Sequence, residues 1–343
     1  MANSQFTIYS SSDPNGPGLI TGQTGSLIRV LNACLVNGYT GKPAAGWTSS
    51  LGNLSGSISS YTQPSGSGRT LFVNDMGGNV AAGAKEAWMV GWESMTGLTS
   101  SLTAIITGSV GSGYGQFPTP SQLLTTGHIV CRKSATADAT GRPWVMFADA
   151  STFYLFTSTT DVDSTYFSFW FGDVFSLRGE TDLYRCIIAG RTIENSNAGN
   201  SELNDAITTT SPPISGVGIN GIYMARTWGG GGTSIKVNLI GDYSLVSTNA
   251  NNTQLPMNSI LQMPNGPDGS VYLAPLRVFE SAALCLRGRV RGIYQIGHPV
   301  ASFSDGQTFA GAGDFAGKSF QIVKFSANAV LFVIETSNTL ETN

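Results

Sequence analysis

Aromatic and β-branched runs of five to ten residues recur along this chain, parted by glycine-rich and polar turns, and one stretch alone carries helical periodicity. Runs of this kind read as strands. They fall at Arg69–Asn74, Ala84–Trp92, Trp144–Ala148, Thr152–Phe156, Tyr166–Phe175 and Leu183–Ala189. They continue at Ile235–Ile240, Val271–Phe279, Arg289–Ile296, Ser319–Phe325 and Ala329–Thr336. The first two are expected to pair through the Gly77-Gly78-Asn79 turn region. Phe167-Ser-Phe-Trp-Phe171 is apolar at nearly every position, which predicts a strand buried on both faces.

The exception is Gly25 to Asn37, where Leu27, Val30, Leu31, Cys34 and Leu35 fall at i, i+3, i+4, i+7 and i+8. That spacing puts them on one face of a helix. Thr24 or Ser26 is the expected cap at its start, and Asn37-Gly38 supplies the stop. An isolated amphipathic segment near the N-terminus is also a candidate docking element for another subunit. The fold class is therefore mainly β: one or more antiparallel, β-sandwich-like domains with one N-terminal amphipathic helix. A division into residues 1–120, holding the helix and a β region, and 121–343, the main β region, is expected at the Pro-bearing connection Gln116–Ser121. A chain of this length is equally allowed to form a single domain. Asn195–Gly216 is polar and long for a loop, and Gly229–Gly232 reads as a loop tip or a tight contact with a neighbouring chain.

Composition narrows the function classes. Asp, Glu, Lys and Arg make up 11% of the chain, against about 25% in an ordinary soluble domain. A free protein so poor in charge tends to self-associate, because scattered ions keep surfaces apart. A subunit covered by copies of itself or by its neighbours escapes that limit. With 41% hydrophobic residues the chain is too apolar to be disordered. A net charge of −3 and the absence of any Lys/Arg run give no field for nucleic acid. Apolar stretches such as Ala329–Ile334 fall far short of the roughly 18 residues a membrane span needs. Met1-Ala-Asn-Ser-Gln-Phe lacks the basic-then-apolar order of a secretory signal, so synthesis in the cytoplasm without export is expected.

Chemistry-bearing residues are sparse. Cys34, Cys131, Cys186 and Cys285 are far apart and flanked by apolar residues, which reads as four buried reduced thiols. His128 and His298 are the two histidines of the chain, and both sit at the ends of strand-like runs, where a structural role is expected. Ala312–Ser319 fits a loose phosphate-loop pattern, but a strand rather than a helix follows it. Gly216-Val-Gly-Ile-Asn-Gly221 has dinucleotide spacing without the strand and helix it needs. Asp161 and Asp163 form a D-x-D without an EF-hand continuation. No G-x-S-x-G elbow occurs. The expectation is a non-enzymatic protein with no catalytic, cofactor-binding or metal-ligating residues and no cofactor. Among Trp47, Trp88, Trp92, Trp144, Trp170 and Trp228, the last adjoins the four-glycine run and is the one expected at a surface, where it would offer a stacking platform for a sugar.

Several blocks resemble a family of virion proteins from tailed bacteriophages. They are Leu27-Ile-Arg-Val-Leu-Asn-Ala-Cys-Leu-Val-Asn-Gly-Tyr39, Lys42-Pro-Ala-Ala-Gly-Trp-Thr48, Gly91-Trp-Glu-Ser-Met-Thr96 and Arg132-Lys-Ser-Ala-Thr-Ala-Asp138. Arg142-Pro-Trp-Val145, Thr152–Phe156, Phe171–Phe175, Gly269–Pro275 and Leu286-Arg-Gly-Arg-Val-Arg-Gly-Ile-Tyr294 with His298 follow in order. Arg291 stands where the family pattern leads one to expect proline. The resemblance implies a structural subunit of the virion, in the tail, tail tip or head–tail connector, and carries over no catalytic residue. The implied partners are copies of itself and other virion proteins, with no nucleic acid and no membrane span. The alternative is a virion-borne receptor- or carbohydrate-binding protein whose partner is a host cell-surface glycan.

Overall fold

The computed structural model describes residues 5–51, 57–75, 85–98, 111–123, 127–158, 166–192, 220–240, 271, 273–280, 282–296, 303–324 and 331–337. In chain order the elements are β1 (Thr7–Ser10), α1 (Ser26–Leu31), β2 (Ile58–Thr62), β3 (Thr70–Asn74), β4 (Glu86–Gly97), β5 (Ser112–Phe117), β6 (Ile129–Arg132) and β7 (Trp144–Ala148). There follow β8 (Thr152–Ser158), β9 (Tyr166–Asp173), β10 (Phe175–Ser176), β11 (Cys186–Arg191), β12 (Asn220–Met224) and β13 (Ile235–Ile240). The last are β14 (Leu273–Glu280), β15 (Cys285–Ile296), β16 (Thr308–Ala310), β17 (Ser319–Lys324) and β18 (Leu331–Glu335).

Every pairing between described strands is antiparallel. A central sheet runs β1-β7-β8-β9-β11-β12. It passes through β13 into a second layer, β14-β15-β18-β17-β16, with β10 also on β15. On the other side β2-β3-β4 continues through β6, which meets β11 at Val130 and Arg191. β5 pairs with the far half of β4.

Side chains alternate across a strand, so each central strand feeds two cores. Met146, Phe153, Leu155, Phe169, Phe171, Ile188 and Tyr223 face the helix and the β2–β4 region. Phe147, Tyr154, Phe156, Trp170, Ile187 and Met224 face Leu276, Val278, Ile293, Phe332 and Ile334 of the second layer. Trp47 caps the first core edge-on to Phe153 at 5.6 Å, and Trp170 meets Phe332 at 5.5 Å in the second. Within the Phe167–Phe171 run the described side chains, Ser168 to Phe171, are all buried, so the strand is covered on both faces there, in an antiparallel sheet. The first core unites Leu27, Leu71 and Phe117 with Ile129, Trp144 and Ile188, residues from both sides of position 120. Gln116 and Phe117, expected in a connection, close β5 instead.

The helical segment departs from expectation at its start. Neither Thr24 nor Ser26 caps it; Gly25 occupies that position with φ 79°, and Ser26 Oγ donates to the Thr21 carbonyl. The acceptor is Asp75, whose Oδ2 receives the Leu27 and Ile28 N–H groups at 2.7 and 3.3 Å. After Leu31 the helix widens into a π-helical stretch, Asn32–Asn37, and stops at Gly38. The Cys34 and Leu35 carbonyls accept the N–H groups of Ala45 and Trp47. All five apolar positions of the periodic face are buried in the first core, so this face packs within its own chain and is not open for docking.

The Gly77–Asn79 turn, Asn195–Gly216, Asp161, Asp163 and His298 lie outside the described residues, as does Gly216–Ile219 of the dinucleotide-like spacing.

Candidate functional site

Half of the described charge is inside: fifteen charged side chains are buried, nine are half-buried and six are exposed, the six being Arg29, Asp138, Arg178, Glu180, Asp305 and Asp314. The buried ones form close pairs: Arg132–Glu86 at 2.6 Å, Arg185–Asp173 and Arg287–Glu280 at 2.7 Å, and Arg291–Asp149 at 2.8 Å. Lys133 and Asp75 are both fully buried and in direct contact. Burial pushes the Asp75 carboxyl above its usual range, opposed by Lys133 and by the two helix N–H groups it accepts. Asp173 also accepts from the Ser67 N–H at 2.8 Å and from Gln63 Nε2 at 3.2 Å. These groups are paired, as buried charge must be, and the pairs join different strands and loops.

The other chemistry-bearing residues are also packed away. Cys34, Cys131 and Cys186 are buried free thiols, and burial raises the Cys34 and Cys186 pKa values. Cys285 departs from the expected burial: it is half-buried at the start of β15, because the strand begins there beside an exposed turn. His128, next to β6, is buried with its ring stacked on Trp88 at 3.9 Å. In the phosphate-loop-like stretch, Gly313–Phe315 is a single 3-10 turn and β17 follows. Its Lys318 pairs with Glu335 at 2.8 Å. Among the described residues, no three His, Cys, Asp or Glu side chains converge as a metal site, and no helix is long and apolar enough to cross a membrane. A shallow groove beside Ile28, Arg29, Asn32, Ala33 and Asn37 has Arg29 as its one charged group.

Of the six tryptophans, five are core residues and Trp228 is the exception. It is half-buried, at a corner where the chain leaves β12 and meets the ends of β10 and β15. Its N–H donates to Glu280 Oε2 at 2.9 Å, and its carbonyl accepts from Arg178 Nη1 at 2.7 Å. The Arg178 and Arg287 guanidinium carbons lie 5.7 and 5.8 Å from its ring centroid. The same corner holds Tyr184, against which Gly230 packs too closely for any side chain, and Tyr114, which is 63% exposed. Arg226 links them: its guanidinium stands 5.2 Å from the Tyr114 ring and 5.9 Å from the Tyr184 ring, and it pairs with Glu93. The corner thus interleaves arginine with aromatic rings over paired carboxylates. The four-glycine run is accordingly a support for Tyr184 as well as a loop tip. Sequence pattern pointed to Trp228 but not to Arg178 and Tyr184 of the β10–β11 loop, Arg226 after β12 or Tyr114 of β5.

No protein-family model matches the sequence, and no curated protein is significantly similar to it.

Proposed function

We propose that this chain is a non-enzymatic structural subunit of a bacteriophage virion, placed in the tail, tail tip or head–tail connector. It associates there with copies of itself and with other virion proteins. The single observation that carries the reading is the inward placement of charge. Among the described residues fifteen charged side chains are buried, and only six are exposed and nine half-buried on a surface otherwise rich in Ser, Thr, Gly, Asn and scattered apolar groups. Such a surface suits contact with other subunits better than long residence in solvent. The resemblance of the Leu27–Thr48 block to tailed-phage virion proteins supplies the kind of assembly. The test is mass spectrometry and immunogold labelling of purified particles from the phage encoding the chain. Multiple copies per particle are expected; absence from intact particles refutes the proposal.

A second reading, glycan binding on the virion, is favoured by Trp228 and Tyr114 at one surface corner. Two guanidinium groups already lie within 6 Å of the Trp228 ring, so a sugar would compete with them for it. Binding of host cell-surface glycans that disappears in Trp228→Ala would support this second reading.

A further inference from the structure

Asp75 follows β3 and Lys133 follows β6, and β4 lies between those strands, its Trp88 opposite both Asn74 and Val130. Both side chains are fully buried, and Lys133 Nζ is in direct contact with Asp75 Oδ1. A buried ammonium and a buried carboxylate are each held against a desolvation penalty. Transfer of one proton from Nζ to Oδ1 leaves an amine and an acid, the uncharged forms that burial favours. Burial pushes the Asp75 carboxyl above its usual range, in the same direction. The remaining contacts are those an acyl transfer needs. Oδ2 accepts the Leu27 and Ile28 N–H groups at 2.7 and 3.3 Å. Two backbone donors thus converge on the oxygen that gathers negative charge when an amine adds to the carboxyl carbon, as they do in an oxyanion hole. Among the described residues Oδ1 meets Lys133 and no other donor, so no further hydrogen bond retains it. Nζ also donates to the Gln23 carbonyl at 2.8 Å, which fixes it beside the carboxyl.

We propose that Lys133 and Asp75 condense within the folded chain to form an isopeptide bond, an inference independent of the subunit reading above. After the proton transfer, the Nζ lone pair adds to Cγ and the Cγ–Oδ1 bond breaks. Oδ1 leaves as water, carrying the transferred proton and a second one from Nζ, and the amide nitrogen keeps the third. No oxidant, reductant or second molecule enters the balance. In the product the amide N–H still donates to the Gln23 carbonyl, and the amide oxygen still accepts from Leu27 and Ile28. The two buried charges disappear while their hydrogen bonds stay. Amine and carboxyl held in contact react in a unimolecular step, with the advantage over free encounter that this confers. The ion pair is the state that the newly folded chain holds, and conversion is slow because the proton must move first. The bond joins the ends of β3 and β6 covalently, beside the start of α1.

The test is the intact mass of the purified full chain, measured fresh and after prolonged incubation in the folded state, followed by tryptic peptide mapping. The wild type is expected to become lighter by one water, with the peptide holding Asp75 joined to the one holding Lys133 and no cleavage after Lys133. A chain kept unfolded in guanidinium chloride is expected to retain its full mass. The folded double variant Asp75→Asn/Lys133→Met, which removes both reacting groups, is expected to retain its own. A wild type still at full mass after incubation overturns the proposal. So does a lighter wild type whose Asp75 and Lys133 peptides remain separate, since the water then came from elsewhere in the chain. Equal conversion in guanidinium chloride overturns the role given to the folded site.

Discussion

Asp75 performs two tasks at once, and its replacement separates them. Its carboxylate neutralises Lys133 in a site where both side chains are fully buried, and its Oδ2 accepts the first free N–H groups of α1. Removing one partner of a buried pair leaves an uncompensated charge, at about 3–5 kcal/mol. Losing a helix cap costs about 1 kcal/mol more. Asp75→Ala should therefore destabilise the fold by about 4–6 kcal/mol, a large part of the roughly 5–15 kcal/mol that holds a typical domain. Asp75→Asn keeps an acceptor for Leu27 and Ile28 and should recover the cap term only. The double variant Asp75→Asn/Lys133→Met removes both charges. Burial already pushes the Asp75 carboxyl up, so the ionised pair is held against a desolvation cost that the double variant releases. What it forfeits is the Lys133 bond to the Gln23 carbonyl at 2.8 Å, worth about 1 kcal/mol. It should lie within about 2 kcal/mol of wild type. Urea unfolding followed by tryptophan fluorescence and by circular dichroism gives the differences from shifts in midpoint at constant slope. Asp75→Asn within 1 kcal/mol of wild type, or a double variant as unstable as the single, refutes the reasoning.

Two further outcomes are expected. A Cβ on Gly91 would stand 2.5 Å from the Phe117 ring atoms across the β4–β5 pair, so Gly91→Ala should destabilise by about 1–3 kcal/mol through overpacking; unfolding at the wild-type urea midpoint would show that the ring moves aside freely. Burial raises the phenol pKa values of Tyr9, Tyr61 and Tyr154 beyond the ordinary range. The folded state then keeps protons that the unfolded chain releases above about pH 10, so stability is full below that pH and falls as pH rises past it. An absorbance titration should show these tyrosines ionising only as the chain unfolds, and three early-titrating groups would contradict their burial.

The strands were legible where local pattern determines them. Trp144–Ala148 and Ile235–Ile240 fall where the sequence puts them, and the β3–β4 pairing was visible in two runs of apolar residues. Ile58–Thr62 and Ser112–Phe117 were not legible. The first is Ser and Thr around a few apolar residues, and the second holds glycines at positions 113 and 115, so their strand character comes from the neighbours they pair with. The helix was readable from its stripe but its cap was not, because Asp75 lies 48 residues from Leu27. The same separation hid the surface corner. Tyr184, Arg226 and Tyr114 meet only because the β10–β11 loop, the end of β12 and β5 converge, and no spacing in the chain encodes that.

The buried charges answer a difficulty that this architecture creates for itself. In a sheet with one wet face, slipping a strand by one residue turns its apolar set to solvent, so the hydrophobic pattern enforces register. β8 and β9 are apolar toward both cores, Phe153 and Leu155 on one side and Tyr154 and Phe156 on the other. A one-residue slip there exchanges one buried apolar set for another, and burial alone discriminates weakly. The ion pairs supply the missing discrimination. Asp149, just ahead of β8, holds Arg291 of β15, and Asp173, the last residue of β9, holds Arg185 just ahead of β11. A slip would strand each charge in an apolar interior, at a cost of several kcal/mol per ion. A chain with few charges thus places them where a wrong register is penalised most, and the scarcity of charge outside follows from the same allocation.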